Sequence, residues 1–270
     1  MQIDRMSPAR RPDGRIAGYQ DWSDLLFVHW PVRVDLLQPL VPTGLTIDTW
    51  AGEAWVGLVL FHMRGVRPWW FPAVPGVSEF HETNVRTYVH REGSEPGVWF
   101  FSLDAANSLA VRVARWRWNL QYFRSRMRLE RRDDRVRYHS ERLWPGVDRG
   151  GAVGRGVPGP GTDVIADVGV PPDGCRIEGD HGIAEPGTLE HFLVERYIMY
   201  TAATGGRLYR GRVHHHPYPL RTARLERFHE SLVAAAGVEV PADPAHLLFS
   251  ESLSVEIFPL KAIDDSRAAG

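Results

Sequence analysis

Five polar side chains alternate along one stretch of the sequence, FHETNVRTYVHR. Glu82, Asn84, Arg86, Tyr88 and His90 follow one another at intervals of two residues, and side chains at this spacing share one face of a β-strand. The residues between them are more apolar and suit a face that packs against protein. The polar row could bind and orient a small polar molecule, or it could be the solvated face of an antiparallel strand.

Composition narrows the classes of protein to which the chain could belong. Its 32 Lys and Arg residues nearly balance its 33 Asp and Glu residues, so a nucleic-acid-binding surface is not supported. Lys261 is the single lysine, so an amine nucleophile must be Lys261 or the N-terminus. The single cysteine, Cys175, excludes an intramolecular disulfide framework and fits a reducing compartment. With no signal-peptide core and no membrane-length apolar run, the sequence predicts a cytoplasmic protein.

Local patterns predict an α+β fold dominated by an antiparallel, barrel-like sheet. About eight to ten strand-like segments are interrupted by three or four short helical ones. One helix is predicted over 105–119 with a cap at Asn107 or Ser108, and another begins after a cap at Thr188.

Segments rich in Gly, Pro or Trp divide this pattern. We expect a flexible lead-in over residues 1–20 and a single domain over 21–262. The Gly- and Pro-rich segment over 145–162 is expected to be a flexible surface loop, since no strand and helix flank it as in a phosphate loop. The Trp-rich loop over 67–76 is expected to be ordered by packing and to rim a cavity.

Nine stretches in order along the chain resemble a known bacterial family. They read LLFVHWPV, EAWVGLVLF, GVRP, ETNVRTYV, PGVWFFSLDA, YFRSRM, LEHFLVERYIMY, LYRG and HHHPYPL. Together they resemble the YqjF-like family (domain of unknown function 2071) of the acetoacetate decarboxylase-like superfamily. The resemblance implies a mainly antiparallel sheet, closed into a cone or barrel around a central cavity, with a few flanking helices. This resemblance predicts the fold more reliably than the activity, because one fold can host many functions.

The same resemblance implies where chemistry would take place. The superfamily's decarboxylases form a Schiff base between a lysine and a β-keto acid. Glu82 matches the glutamate of that site, but the lysine pair falls near Tyr122, Phe123 and Arg124. Neither ring is an amine, and a guanidinium stays protonated. Schiff-base decarboxylation is therefore disfavoured, and acid/base chemistry by Glu82 and Tyr122 is the catalytic hypothesis.

The other site predictions also depend on this cavity. Arg86 and Arg124 could hold a carboxylate in bidentate fashion, and Glu82 could act as general acid or base if burial raises its pKa. The alternative is a buried Glu–Arg network that only fixes the sheet. The remaining predicted ligand contacts are Asn84, Tyr88, Asp104, His29, Glu195, Tyr197 and His216.

Some of these residues have a plainer interpretation. His29 is also typical of a core histidine, and Glu195 and Tyr197 lie where a predicted helix ends and salt bridges are common. The three histidines over 214–216 could join Glu82 in a metal site, but no metal-binding motif accompanies them. We expect no metal and no cofactor.

Two functions from different classes remain open. The first is a lyase-like small-molecule enzyme that acts on a carboxylated or keto-type metabolite without a Schiff-base lysine. The second is a non-catalytic binding or sensing protein that uses the same cavity. Both take an anionic or carbonyl-bearing small molecule and neither needs a nucleic acid or a membrane. The resemblance to the decarboxylases, which assemble into oligomers, leaves a homo-oligomer open. A structural or partner-binding role is a third alternative, and the Trp-rich loop over 67–71 would be its surface.

Overall fold

The computed structural model describes residues 3–108, 111–112, 120–144, 147–148, 151–152 and 159–263. Most of them lie in strands, with a few short helices between. The strands are β1 (Gly18–Val32), β2 (Thr46–Ile47), β3 (Ala54–Pro68), β4 (Phe80–Arg91), β5 (Ser94–Ala105), β6 (Tyr122–Arg132), β7 (Arg135–Trp144), β8 (Val147–Asp148), β9 (Gly151–Ala152), β10 (Gly161–Val168), β11 (Cys175–Glu178), β12 (His181–Ala184), β13 (Ile198–Ala202), β14 (Leu208–His214), β15 (Leu220–Glu230), β16 (His246–Ile257) and β17 (Lys261–Ala262). The helices are α1 (Val34–Leu37), α2 (Leu189–Val194) and α3 (Leu232–Ala235), with 3₁₀ turns at Ser7–Ala9 and Gln38–Leu40.

Fifteen of these strands form one sheet. Its order is β11-β12-β15-β10-β7-β6-β5-β13-β14-β16-β1-β3-β4-β2, with β17 paired to β14. The pairings are antiparallel except those of β5 with β6 and with β13. Because β4 also pairs with β5, and β15 with β16, the chain of pairings leads back on itself. The prediction of a mainly antiparallel sheet with few helices is confirmed.

The two faces of the strands pack into two separate apolar clusters. In β1, Val28 and Trp30 belong to the first cluster, whereas Leu25 and Phe27 belong to the second. This division follows from the alternation of side chains along a strand. The second cluster also contains Tyr88 and, from the helix and loops, side chains such as Phe192 and Tyr218. The polar row of β4 faces the second cluster, while Val85 and Val89 on its other face belong to the first.

The described part of the N-terminal segment, for which a flexible lead-in is predicted, makes several contacts with the rest of the protein. Arg5 forms an ion pair with Asp48, and Pro8 is buried. The Arg212 guanidinium donates to the backbone oxygens of Pro8 and Arg10. The segment packs on the sheet because these contacts hold its backbone, and its last residues already belong to β1.

The Trp-rich loop differs from its prediction. Trp69, Trp70 and Phe71 are 49%, 66% and 47% exposed, and none of them lines the cavity that contains Glu82 and Arg86. They follow the end of β3, beyond the reach of the sheet, and Trp69 stacks on the Arg15 guanidinium rather than on apolar protein. The predicted helix over 105–119 and the Gly/Pro loop over 145–162 lie largely outside the described residues.

The helix predicted after Thr188 is present and short. The Thr188 hydroxyl accepts a hydrogen bond from the backbone N–H of His191, as an N-cap does. The helix ends at Val194, and after three intervening residues the chain enters β13 at Ile198. No helix among the described residues has the length and apolar character needed to cross a membrane.

Candidate functional site

A cavity of about 260 Å³ lies on the face of the sheet that carries the second cluster. Much of its wall is apolar and aromatic, which favours a ligand with little polar surface. These wall residues include Trp22, Phe61, Met63, Phe80, Val98, Phe100 and Leu103. The polar side chains in the wall are Gln20, Glu82, Arg86, Tyr122, Arg196, Arg212 and Tyr218.

Glu82 and Tyr122 form a hydrogen-bonded pair in this wall. Glu82 is on β4 and Tyr122 starts β6, with β5 between them. The register sets Ala105 of β5 opposite Glu82, and its small side chain leaves room for the longer ones to meet. The Tyr122 hydroxyl donates to Glu82 Oε2 at 2.6 Å.

Burial controls the proton affinity of both groups. It raises the pKa of Glu82 from its usual 4.5 to about 7, against the opposing effect of hydrogen bonds from Tyr122 and Asn84. Burial, together with the Glu82 carboxyl, raises the pKa of Tyr122 well above its ordinary value. At neutral pH Glu82 is therefore close to half protonated, while Tyr122 keeps its proton and donates.

Arg86 brings a positive charge to the same wall. Its Nη2 donates to the Leu193 backbone oxygen at 2.9 Å, and the Tyr88 hydroxyl donates to the same oxygen at 2.8 Å. Leu193 is in the last turn of α2, where carbonyls lack helical partners. Arg86 is only 7% exposed, yet none of the described carboxylates forms an ion pair with it. A buried charge is normally paired, so Arg86 is suited to an anionic ligand.

Arg196 also lines the cavity, and it already has a carboxylate partner. Its Nη1 donates to Asp48 Oδ2 at 2.8 Å and its Nε donates to the Phe192 backbone oxygen at 2.8 Å. Asp48 is almost fully buried and pairs with Arg5 on its other oxygen. Arg196 therefore fixes the loop between α2 and β13 more than it attracts an anion.

Several predicted site residues lie outside the cavity wall. Asp104 is enclosed by Arg142, whose Nε and Nη2 donate to it at 2.8 and 2.7 Å, and by the Ser125 hydroxyl at 2.6 Å. It lies next to Leu103, which faces the cavity, so its side chain leaves β5 on the opposite face. Arg124 is exposed on β6 beyond Tyr122 and does not reach the cavity.

His29 is a core residue rather than a wall residue. It stacks on Phe27 at 6.2 Å and lies beside Tyr88 and His246. Within the described part of the chain neither of its ring nitrogens has a hydrogen-bond partner. Burial lowers the pKa of His29 well below its usual value, and His246 and Arg86 lower it further. Gly57 leaves room for the ring, since a Cβ there would lie 3.1 Å from His29 Cδ2.

In the histidine run over 214–216, the buried residue is His215 and not the predicted His216. β14 ends at His214, and the chain then turns, so His216 is exposed and His215 is buried. His215 stacks on Tyr197 with ring centroids 4.5 Å apart. His216 is therefore not a wall residue. In the part of the chain that the structure describes, no three His, Cys, Asp or Glu side chains are arranged to hold a metal ion.

Glu195 and Tyr197 lie behind the wall. The Tyr197 hydroxyl donates to Glu195 Oε2, and the backbone N–H of Tyr218 donates to Glu195 Oε1 at 2.9 Å. Tyr218 itself is in the wall. Of the supporting residues, Asn84 contacts Glu82 and Tyr88 buttresses Arg86.

Sequence reasoning missed four polar wall residues: Gln20, Arg196, Arg212 and Tyr218. Tyr218 lies in the HHHPYPL stretch, where the histidines drew attention instead. Arg196 neighbours two residues that were predicted. Arg212 has no sequence signal that separates it from the other arginines. Lys261 lies exposed on β17 and is not a wall residue.

Comparisons with known proteins agree on fold and family. Residues 19–254 match the family DUF2071, described as an uncharacterized conserved protein. The protein YqjF of Bacillus subtilis (strain 168) is 35% identical over 250 residues, which cover 93% of this chain and 94% of YqjF.

Two solved structures share the fold at low sequence identity. Acetoacetate decarboxylase from Legionella pneumophila has a TM-score of 0.58 at 13% identity, covering 96% of this chain and 94% of its own. The enduracididine biosynthesis enzyme MppR, complexed with pyruvate, has a TM-score of 0.58 at 12% identity, covering 95% and 94%. The resemblance seen in the sequence is confirmed: the chain belongs to the DUF2071 family and has the fold of acetoacetate decarboxylase-like enzymes.

Proposed function

We propose that this protein is a lyase-like enzyme that moves a proton next to the carbonyl of a small keto acid, using Glu82 as acid and base. One observation carries the proposal. Glu82, whose pKa is raised to about 7, shares a cavity wall with Arg86, a buried cation that pairs with no described carboxylate. A general base works best when its pKa is near the operating pH.

Each residue has a separate role in this reaction. Arg86 binds the substrate carboxylate and sets its orientation. Glu82 takes a proton from the carbon beside the carbonyl. The electron pair of that C–H bond forms a C=C bond to the carbonyl carbon, and the C=O π pair moves onto the oxygen to give an enolate. Tyr122, which keeps its proton, holds Glu82 through the 2.6 Å hydrogen bond. Loss of a neighbouring substituent or return of the proton completes the cycle.

The position of the only lysine supports chemistry without a Schiff base. Lys261 is exposed on β17, and its partner in the register is Arg210 of β14. The wall side chains that replace an amine are a carboxyl, a phenol and guanidinium groups. Glu82 rather than a lysine therefore starts the reaction.

The class of substrate is supported by the size of the cavity and by the structural neighbours. A volume of about 260 Å³ is slightly below the usual range for ligand pockets, roughly 300–1,000 Å³. That size suits a metabolite of a few carbon atoms. The names of the two neighbours contain acetoacetate and pyruvate, both small keto acids. The return of the strand pairings on themselves supports a cone-like barrel around this cavity, within one domain over 21–262.

Deuterium exchange tests the proposal without knowledge of the full reaction. Pyruvate, acetoacetate and 2-oxobutyrate are incubated in D₂O with wild type, Glu82→Gln and Glu230→Gln, and proton NMR follows loss of the signal beside the carbonyl. Wild type should exchange at least one of them, and Glu82→Gln should be slower by about 10²- to 10⁴-fold. Glu230→Gln is the matched control, because burial also raises the pKa of Glu230 but it lies outside the wall. Equal rates for wild type and Glu82→Gln would contradict the proposal.

A binding or sensing protein is the second candidate. It is favoured by the hydrogen bonds that already engage Glu82, from Tyr122 and Asn84. The same experiment separates the two candidates. A keto acid that binds tightly and keeps all its protons, with no product formed, would indicate a binding protein.

A further inference from the structure

We propose that the Tyr218 hydroxyl and Arg86 form a carboxylate clamp in the cavity wall, and that Glu195 is the residue that positions Tyr218. This inference rests on the proposed function in one respect, namely that the cavity takes a small carboxylate. It adds Tyr218 as a ligand contact and Glu195 as a positioning residue, two roles that the sequence did not indicate.

The ring of Tyr218 is held firmly against the wall. Tyr218 is 2% exposed and meets Phe27 edge-on, with ring centroids 5.4 Å apart and planes at 89°. On its other side His215 lies 4.8 Å away at 63°. Two aromatic contacts of this kind fix the direction of the phenol.

The hydroxyl at the end of this ring has no hydrogen-bond partner among the described residues. It is also not among the polar atoms that the protein fully encloses. It therefore keeps surface on the cavity that Tyr218 lines. Buried hydroxyl groups nearly always find a partner, so this one is suited to a bound molecule.

Arg86 presents a second donor in the same place. Its Nη2 donates to Leu193, and its Nε is fully enclosed without a partner. Nη1 donates to no described residue and is left open to the cavity. Arg86 and Tyr218 both contact Phe27: the Arg86 Cζ lies 5.5 Å from the centroid of that ring, and the Tyr218 ring centroid lies 5.4 Å from it. Burial raises the pKa of Tyr218, and the Arg86 guanidinium lowers it.

The Tyr218 hydroxyl and Arg86 offer two hydrogen-bond donors and a positive charge but no acceptor. These properties define the chemical group of the ligand that would bind there. A carboxylate has two acceptor oxygens and a negative charge, and it forms its strongest hydrogen bonds with a guanidinium. The rest of the ligand would meet an apolar wall that includes Trp22, Phe61 and Phe100. The clamp therefore selects a small monocarboxylate with a compact body.

Glu195 acts on the clamp from behind the wall. Its Oε1 accepts the backbone N–H of Tyr218 at 2.9 Å, and its Oε2 accepts the Tyr197 hydroxyl. Tyr197 in turn stacks on His215, which packs against the Tyr218 ring. Glu195 is 4% exposed and does not line the cavity, so it holds both the backbone and the ring of Tyr218 without touching the ligand.

Binding of pyruvate and acetate, with pyruvamide as the uncharged comparison, tests the clamp. Calorimetry or NMR titration gives Kd for wild type, Tyr218→Phe and Arg86→Gln. Tyr218→Phe keeps the ring and removes only the hydroxyl, and should raise Kd for both carboxylates by about 10- to 100-fold, as for a hydrogen bond to a charged group. The affinity for pyruvamide should change much less. Tyr138→Phe is the matched control, because that hydroxyl donates to the Asp24 backbone oxygen outside the cavity.

The outcomes separate the clamp from the proposed function. Unchanged carboxylate affinity in Tyr218→Phe, or no binding of either carboxylate to wild type, would overturn the clamp. Loss of binding in Tyr218→Phe, combined with no deuterium exchange by wild type, would uphold the clamp and reject the enzyme. Loss of exchange in Glu82→Gln, combined with full carboxylate binding in Tyr218→Phe, would uphold the enzyme and reject the clamp.

The positioning role of Glu195 needs a double-mutant cycle. Glu195→Gln should weaken pyruvate binding in wild type and have almost no further effect in Tyr218→Phe, because the two residues act as a unit. A merely structural role would weaken both backgrounds equally, and that result would remove Glu195 from the clamp. If Glu195→Gln fails to fold, Tyr197→Phe, which removes only one hydrogen bond to Glu195, enters the same cycle.

Discussion

Replacing Glu82 with glutamine should change how the stability of the protein depends on pH. Burial raises the pKa of Glu82 from 4.5 to about 7, so the folded chain holds this proton more tightly than the unfolded chain. The stabilisation from that proton is complete below pH 4.5 and is lost as the pH rises through 7. A pKa difference of this size corresponds to about 3 kcal/mol.

Urea unfolding of wild type and Glu82→Gln between pH 5 and pH 8 measures this effect. Glutamine keeps the size and can still accept the Tyr122 hydrogen bond, but it does not titrate. Relative to the variant, wild type should lose roughly 2–3 kcal/mol of unfolding free energy from pH 5 to pH 8. Other titrating groups cancel in this difference, and Glu130→Gln, on the exposed part of β6, should leave the pH dependence as it is in wild type. If the difference in unfolding free energy between wild type and Glu82→Gln stays constant from pH 5 to pH 8, Glu82 does not bind a proton in this way.

Three further predictions concern the pH dependence of proton exchange and the variants Tyr122→Phe and Asp104→Asn. Exchange of the substrate proton should rise with pH through about 7, because the base must be deprotonated; a rate that falls over that range would reject Glu82 as the base. Tyr122→Phe removes a hydrogen bond that lowers the pKa of Glu82, so the midpoint of the same profile should move to higher pH, and an unchanged midpoint would contradict this. Asp104→Asn should cost about 3–5 kcal/mol in urea unfolding, because it leaves Arg142 buried without its partner; a loss below about 1 kcal/mol, as for an exposed ion pair, would count against it.

The polar row of β4 could be predicted because its cause is local. Side chains alternate along any strand, so Glu82 and Arg86 had to share a face, and the resemblance indicated that this face lines a cavity. The mainly antiparallel sheet followed from the same kind of pattern. The pairing register of the strands could not be predicted from the sequence, because the partner of each strand is set by long-range packing.

The differences between the predicted site residues and the cavity wall have the same physical origin. Arg124 is two residues after Tyr122 and shares its strand face, but the cavity ends between them and leaves Arg124 in solvent. Asp104 meets Arg142 only because β5, β6 and β7 lie side by side. Tyr218 follows a turn at which the alternation of β14 stops, so no periodic pattern indicates where its ring points.

A crystal structure of the protein with pyruvate tests the central claim most directly. The account predicts the pyruvate carboxylate within about 2.7–3.2 Å of Arg86 Nη1 and of the Tyr218 hydroxyl, with the methyl carbon directed to Glu82. Pyruvate bound in the reverse direction, with its carboxylate at Glu82 and Tyr122, or bound outside this cavity, would contradict it.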